Sequence, residues 1–175
     1  ADTLTNRSQL QTSPIVVDGV LFGVSPVTKI FALDAATGER RWEFDPFVHG
    51  AEVRRGGTSR GVTFWSNGDD RRLFASGGSK LFALDADTGI PIETFGQGGV
   101  IDLHDGLDAG REVSDLFVIS NTPGVIYEDL LILPTRHAES SPAAPGNIRA
   151  FDVKTGDIVW VFHTIPHPGE FGHDT

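Results

Sequence analysis

The sequence predicts an all-β protein built as part of a β-propeller. The main evidence is an internal repeat, because residues 31–38, 82–89 and 150–156 align on the pattern Asp-x-x-Thr-Gly. A second observation is that short runs of alternating apolar residues flank each repeat, whereas helical periodicity is never sustained over three turns. Each unit therefore supplies four short antiparallel strands in about 50 residues, which is typical of a propeller blade.

The first unit, expected at residues 12–46, contains the strongest turn signals. Asp18-Gly19 separates two apolar runs, which predicts a two-residue hairpin. Farther along, Asp34 is expected to accept backbone N–H bonds within its turn, while Gly38 adopts positive φ.

The second and third units are expected at residues 60–96 and 117–163. The stretch 123–133 in the third unit is the counterpart of the first hairpin, and a weaker signal lies at residues 61–65 with 73–76 in the second unit. Three blades cannot close a ring by bringing the last blade against the first. Residues 1–175 are therefore predicted to be a piece of a longer protein.

The composition excludes several classes of function. The chain has 175 residues, with 14 Lys and Arg against 24 Asp and Glu and a net charge of −10. This balance argues against nucleic-acid binding, because phosphate contacts need clustered cations. The absence of Cys excludes disulfides, thiolate zinc sites and Cys nucleophiles. No apolar run approaches the roughly 20 residues of a membrane helix, so any membrane association is expected to come from a segment outside this chain.

Residues 32–42, Ala-Leu-Asp-Ala-Ala-Thr-Gly-Glu-Arg-Arg-Trp, resemble the tryptophan-docking motif of dehydrogenases that depend on pyrroloquinoline quinone (PQQ). Residues 13–19, 59–65, 146–152 and 163–172 are similar to the branch that contains the membrane-bound glucose dehydrogenase. The resemblance implies an eight-bladed propeller that holds PQQ and a divalent cation, usually Ca²⁺, near its axis. Residues 1–175 would form only the N-terminal part of this propeller.

The same resemblance implies an activity and a location. The enzyme would oxidise a sugar or polyol hydroxyl by hydride transfer to PQQ, assisted by the cation, with a quinone or another compound as electron acceptor. A periplasmic location follows from the family, with membrane anchoring left to a segment outside the chain. In the family, the catalytic Asp and the Trp that stacks on PQQ belong to later blades. This chain is therefore expected to hold no catalytic residue and to be inactive alone.

A second hypothesis is a non-enzymatic propeller scaffold that docks protein partners. Similar repeats occur in an outer-membrane assembly lipoprotein without catalytic activity, so the repeat residues themselves are assigned a structural role. Arg60, within Arg-Gly-Val-Thr-Phe-Trp, and the long segment 136–147 favour the enzyme, because a scaffold has no need of them.

Most of the candidate cofactor ligands follow from the resemblance. Arg60 would point its guanidinium at PQQ, and the chemistry suits it because PQQ carries three carboxylates and Arg pairs planar oxyanions bidentately. Gln11, three residues before Pro14, matches a Glu or Gln that hydrogen-bonds PQQ. Asn121 and Thr122 match the position of a cofactor-contacting hydroxyl. The alternative for Arg60 is a surface Arg paired with an acidic residue. The alternative for Gln11 is a polar residue that merely precedes a strand.

Glu139 is the candidate metal ligand. In alcohol-oxidising relatives an Ala-Glu pair in the third blade ligates calcium, and residues 131–139 occupy the equivalent stretch. A register shift of a residue or two would instead place Arg136 or His137 against the cofactor, so Arg136 is a further cofactor candidate. The alternative for Glu139 is a solvated loop position.

The chain departs from both branches of the family just before Arg60. Alcohol-type relatives carry a Cys-Cys pair there, and glucose-type relatives carry a His four residues before the Arg, whereas residues 54–56 read Arg-Arg-Gly here. The missing Cys pair disfavours the alcohol type, and Gly56 in place of His leaves the glucose type open.

One pair of histidines has the spacing of zinc ligands on a helix. His163 and His167 are four residues apart, but Pro166 and Pro168 exclude that helix. Residues 163–167 are therefore interpreted as a rigid connection between blades.

Overall fold

The computed structural model describes residues 10–51, 59–107 and 112–174. These residues form three four-stranded antiparallel sheets and one two-stranded pair, and they contain no α-helix. The predicted all-β class is confirmed. Within the same ranges, no helix has the length and apolar character needed to cross a bilayer.

The strands of each large sheet are ordered as they occur along the chain. The first sheet contains β1 (Ile15–Val17), β2 (Val20–Val24), β3 (Ile30–Asp34) and β4 (Arg40–Phe44). The second contains β5 (Thr63–Asn67), β6 (Asp70–Gly77), β7 (Lys80–Asp85) and β8 (Val100–Asp102). The third contains β10 (Val125–Tyr127), β11 (Leu130–Pro134), β13 (Ile148–Asp152) and β14 (Ile158–Phe162). The short pair joins β9 (Val118–Ile119) to β12 (Arg136–His137).

The Asp-x-x-Thr-Gly repeat forms the same turn in every sheet. In the first copy, Asp34 Oδ1 accepts the Thr37 N–H at 3.0 Å and Gly38 adopts a φ of 74°. Asp85 and Asp152 accept the equivalent N–H groups, each at 2.8 Å. The carboxylate satisfies backbone donors that the tight turn leaves without a strand partner, which is why Asp suits this position.

The second sheet extends further along the chain than the repeat predicts. The expected unit ends at residue 96, whereas the fourth strand β8 lies beyond it. The chain does begin to pair early, since the Ile92 N–H donates to the Ala83 carbonyl at 2.9 Å. It then leaves the sheet for residues 93–99, where three glycines adopt positive φ, before β8 completes the pairing with β7. Pro91 contributes to this departure because it has no N–H to donate to the ladder.

The hydrophobic core lies between successive sheets. Phe44 of the first sheet meets Phe82 of the second with ring centroids 5.2 Å apart. On the other side of the second sheet, Phe74 and the neighbouring Phe95 pack in one cluster with Phe151 of the third. Each sheet therefore buries its apolar face against the next one, as stacked blades do.

Trp42 docks the first sheet on the second. Its indole Nε1 donates to the Ala86 carbonyl at 2.9 Å, and its ring covers Gly89 in the next repeat turn. The contact between the second and third sheets is made differently. There the Gly96 N–H donates to the Thr155 carbonyl at 2.7 Å, and the Ile101 side chain covers Gly156, the glycine of the third repeat.

One face of the third sheet remains exposed. The strand register places Val125, Tyr127, Trp160 and Phe162 on this face, opposite to the side that packs on the second sheet. Tyr127 is 60% exposed and Phe162 is 59% exposed. A contiguous apolar face of this kind is typical of an interaction surface.

Candidate cofactor site

Four segments that carry or adjoin predicted site residues lie side by side. The Ser13 N–H donates to the Arg60 carbonyl at 2.9 Å, and the Arg60 N–H donates to the Asn121 carbonyl, also at 2.9 Å. Ser120 Oγ lies 3.0 Å from the Pro134 carbonyl, which extends the contact to the end of β11. The segments that precede β1, β5 and β10 are therefore hydrogen-bonded to one another, side by side.

Gly61 makes the closest of these approaches possible. It forms a parallel bridge with Ser13, and its φ is 142°. A Cβ at this position would lie 2.8 Å from the Ser13 carbonyl oxygen, which is too close for a side chain. Glycine is required here because two backbones approach each other and φ is positive.

The Arg60 side chain is exposed although its backbone is held on both sides. Within the described ranges, no carboxylate or carbonyl pairs with its guanidinium. The backbone bonds thus fix where Arg60 lies, while the cation itself stays available for an anionic ligand.

Two buried hydroxyl groups lie next to the predicted residues. Thr12, which follows Gln11, and Thr135, which precedes Arg136, each bury an Oγ1 that has no hydrogen-bond partner in the described part of the chain. A buried hydroxyl without a partner is costly, so such groups commonly serve a ligand or an ordered water. Gln11 itself is exposed.

Asn121 and Thr122 are half-buried between β9 and β10. Their carbonyls are used by the fold, because the Asn121 carbonyl accepts the Arg60 N–H and the Thr122 carbonyl accepts a bond from Ser120 Oγ at 3.1 Å. The Thr63 hydroxyl of β5 also contacts the Pro123 carbonyl and so ties the second sheet to this segment. Both predicted side chains therefore sit on a well-anchored backbone.

Arg136 lies on β12 directly opposite Ile119 of β9. Its guanidinium carbon is 5.9 Å from the centroid of the Phe117 ring, a cation–π contact that leaves the N–H donors open to a further partner. Because β9 leads into Asn121, Arg136 belongs to the same group of adjacent segments as Arg60.

Glu139 is exposed in the bend after β12. No hydrogen bond or ion pair joins it to Arg60 or Asn121 in the ranges that the structure describes. Its role as a metal ligand stays a prediction. His137, the alternative at this place, is half-buried, and its ring packs against Gly146.

The donor set fits an anionic ligand rich in oxygen atoms. It combines two guanidinium groups without carboxylate partners in the described residues, Arg60 and Arg136, with the buried hydroxyls of Thr12 and Thr135. A cofactor with several carboxylates and carbonyl oxygens offers acceptors for all of them. The residues present are therefore compatible with PQQ.

Sequence reasoning missed Thr12 and Thr135. The available signal was their position next to Gln11 and Arg136, but burial without a partner can be recognised only in the folded chain. Residues 54–56, where the chain departs from the family pattern, lie outside the described residues.

The fold is that of stacked propeller blades, and the donor set suits an anionic cofactor. The family model described as "Glucose/ethanol/alcohol dehydrogenase, beta-propeller domain", whose cofactor is PQQ, matches residues 1–175. The chain belongs to this family, and the predicted PQQ-dependent dehydrogenase family is thereby confirmed.

Individual relatives include both alcohol and glucose dehydrogenases. The chain is 33% identical over 170 residues to the dehydrogenase subunit of the quinone alcohol dehydrogenase of Gluconobacter oxydans, covering 95% of this chain and 21% of that protein. It is 26% identical to the quinoprotein glucose dehydrogenase of Escherichia coli, covering 87% of this chain and 20% of that protein. The chain thus spans about a fifth of the length of these relatives.

A solved structure gives the same result for the fold. The quinohemoprotein alcohol dehydrogenase of Pseudomonas putida HK5 superposes with a TM-score of 0.68 at 25% identity, covering 93% of this chain and 22% of that one. The β-propeller prediction is confirmed by this similarity together with the family match.

Proposed function

We propose that this chain forms one side of the PQQ site in a dehydrogenase that oxidises a sugar or polyol hydroxyl. The observation that carries the proposal is Arg60, whose backbone is bonded to both neighbouring segments while its guanidinium has no partner among the described residues. A scaffold gains nothing from an Arg held in this way. A binding site does, because a pre-positioned cation loses little freedom when an anion arrives.

Each residue of the site has a defined part in this proposal. Arg60 pairs with a cofactor carboxylate, and Arg136 supplies a second cation on the adjoining strand. Gln11 and Asn121 offer amide groups, and Thr122 offers a hydroxyl. When bound, PQQ supplies the o-quinone that accepts a hydride. In this proposal the chain's own residues bind and orient the cofactor. The Asp that accepts the proton is assigned to later blades, as the resemblance to the family implies.

The substrate class rests on a departure in the sequence, since the relatives include both alcohol and glucose dehydrogenases. The chain lacks the Cys pair of alcohol-type enzymes, which supports a sugar or polyol, and a glucose dehydrogenase is among the proteins it resembles. A quinone or similar electron acceptor, a periplasmic location and anchoring through a segment outside this chain complete the proposal. The proposal includes no nucleic-acid partner, because the net charge of −10 disfavours contacts with phosphates.

PQQ binding to the full-length apoenzyme tests the proposal. Arg60→Ala is expected to raise the dissociation constant of PQQ about 10- to 150-fold, which corresponds to losing one hydrogen-bonded charge pair. The melting temperature of the apoenzyme should stay unchanged, because the guanidinium contributes no contact within the described chain. Arg40→Ala is the matched control, since Arg40 on β4 is also exposed and its partner among the described residues is Glu43.

The outcome distinguishes the enzyme from the scaffold. Wild-type affinity in Arg60→Ala would remove Arg60 from the site. Failure of the wild-type apoenzyme to bind PQQ at all would favour the scaffold that docks protein partners.

Glu139 is proposed as the ligand of a divalent cation beside the cofactor, with Ca²⁺ the preferred ion because carboxylates are its usual ligands. In chelator-treated full-length enzyme, Glu139→Gln should need far more Ca²⁺ for PQQ binding to recover, since affinity follows the charge of the ligands. Glu93→Gln, another exposed carboxylate, serves as the control. An unchanged Ca²⁺ requirement in Glu139→Gln would move the metal site to another residue.

A further inference from the structure

Three side chains gather in the loop beyond β14. His163 Nδ1 lies 2.7 Å from Glu170 Oε1, and the rings of His163 and His167 are stacked with centroids 3.9 Å apart. One potential ligand atom from each of the three residues lies within 4.8 Å of the others. The spacing of the two histidines predicts no site because Pro166 and Pro168 exclude a helix, yet an irregular loop achieves the same convergence.

The loop itself holds the carboxylate in place. The Glu170 N–H donates to the His167 carbonyl at 2.9 Å, and the His167 N–H donates to Glu170 Oε2 at 2.7 Å. These two bonds close the turn over Pro168 and Gly169. One carboxylate oxygen is thus fixed by the backbone, and the other faces the imidazole of His163.

We propose that His163, His167 and Glu170 bind a divalent first-row transition metal ion, with Zn²⁺ the best match. Two imidazoles and one carboxylate form a ligand set that Zn²⁺ accepts, with the remaining position left to water. This site is separate from the Glu139 site proposed for Ca²⁺, which is a hard cation that prefers oxygen ligands.

Binding requires only a small rearrangement of the contact between His163 and Glu170. The ion takes the place of the proton between Nδ1 and Oε1. With metal–ligand bonds of about 2.0–2.2 Å at a tetrahedral angle, the two atoms would separate to about 3.3 Å, compared with the 2.7 Å of the hydrogen bond. The two stacked rings must also turn apart so that each aims one nitrogen at the ion.

The electrostatics and exposure of the cluster favour a cation. The pKa of Glu170 is lowered by the His167 N–H and then by the His163 side chain, so the carboxylate is ionised at neutral pH. The His163 side chain is 20% exposed and that of Glu170 is 41% exposed. An ion from solvent can therefore reach both ligands while the loop backbone stays in place.

The test is a Zn²⁺ titration of the full-length protein, prepared without a histidine tag, treated with chelator and then saturated with Ca²⁺. Isothermal titration calorimetry should give one Zn²⁺ per chain. His163→Ala and His167→Ala should each weaken binding at least about tenfold, because one of three protein ligands is lost. Glu170→Gln should also weaken it, whereas His49→Gln, which removes an exposed histidine elsewhere, should bind like the wild type.

Co²⁺ provides a second measurement that does not depend on the variants folding well. The wild-type protein with one equivalent of Co²⁺ should show the intense visible absorption of a tetrahedral ion with nitrogen and oxygen ligands. Absence of stoichiometric Zn²⁺ binding in the wild type would overturn the proposal. Equal Zn²⁺ affinity in the wild type, His163→Ala and His167→Ala would overturn it as well. Neither result bears on PQQ binding, so the two proposals fail separately.

Discussion

Replacing Gly89 by Ala tests how the first sheet docks on the second. Gly89 has a φ of 73°, and a Cβ there would lie 2.6 Å from two ring atoms of Trp42. Gly38 occupies the same place in the first repeat with a φ of 74°, and a Cβ there would meet nothing within 4 Å. The two substitutions therefore share the same backbone strain and differ in their contact with the indole ring.

The expected magnitudes follow from this difference. Gly38→Ala should destabilise the protein by about 1–2 kcal/mol, the penalty for an L residue in the left-handed region. Gly89→Ala adds about 1–3 kcal/mol, because the added methyl group forces Trp42 to move. This movement also weakens the 2.9 Å bond from Trp42 Nε1 to the Ala86 carbonyl. The total for Gly89→Ala is therefore about 2–5 kcal/mol.

Urea unfolding followed by circular dichroism measures both effects, and the same two substitutions in a Trp42→Ala background complete the design. Without the indole ring, Gly38→Ala and Gly89→Ala should cost the same within about 0.5 kcal/mol. Equal costs in the presence of Trp42 would refute the reasoning. A difference that persists after Trp42 is removed would refute it too, since some other contact would then be responsible.

Three further predictions concern a buried cation, a turn carboxylate and the cofactor edge. Arg149→Met should destabilise by about 2–4 kcal/mol in urea unfolding, because the buried guanidinium donates to two carbonyls that would lose their partner. The pKa of Asp34 is lowered from 3.8 to about 2, mainly by the hydrogen bond from Arg41 and then by the backbone and hydroxyl donors of the turn. The ionised carboxylate therefore stabilises the fold above pH 3.8. The stability advantage of wild type over Asp34→Asn should therefore shrink as the pH falls from 3.8 to about 2, and a pH-independent difference would contradict this. Gly61→Ala should lower both PQQ affinity and melting temperature in the full-length enzyme, because its Cβ would push Ser13 away from the segment of Arg60.

The features that the sequence predicts well depend on local chemistry. Asp18 and Gly19 adopt φ values of 48° and 77° in the hairpin between β1 and β2, as expected for a two-residue turn with positive φ at both positions. The repeat turns likewise involve bonds between residues two to four positions apart. Such contacts form wherever the residues are present, so pattern recognition is sufficient to find them.

The features that escape prediction depend on contacts distant in sequence. The excursion at residues 93–99 ends where β8 pairs with β7, and the pattern of the other two repeats gives no sign of it. Thr12 and Thr135 become notable only through burial. His163 and His167 meet because a loop, not a helix, brings them together. In each case the sequence gives the residue type, but the contacts that the residue makes exist only in the folded chain.

The arginines of the chain separate structural cations from candidate ligand-binding ones. Arg72 is buried and pairs with both carboxylate oxygens of Asp70 while also donating to the Val153 carbonyl of the next sheet. Arg149 is buried as well and donates to main-chain carbonyls. Arg60 has the opposite arrangement, since its backbone makes the inter-sheet bonds and its side chain makes none within the described residues. Because the guanidinium of Arg60 joins no two sheets in residues 10–51, 59–107 and 112–174, Arg60→Ala should lower cofactor affinity. Arg72→Ala should instead lower the free energy of unfolding.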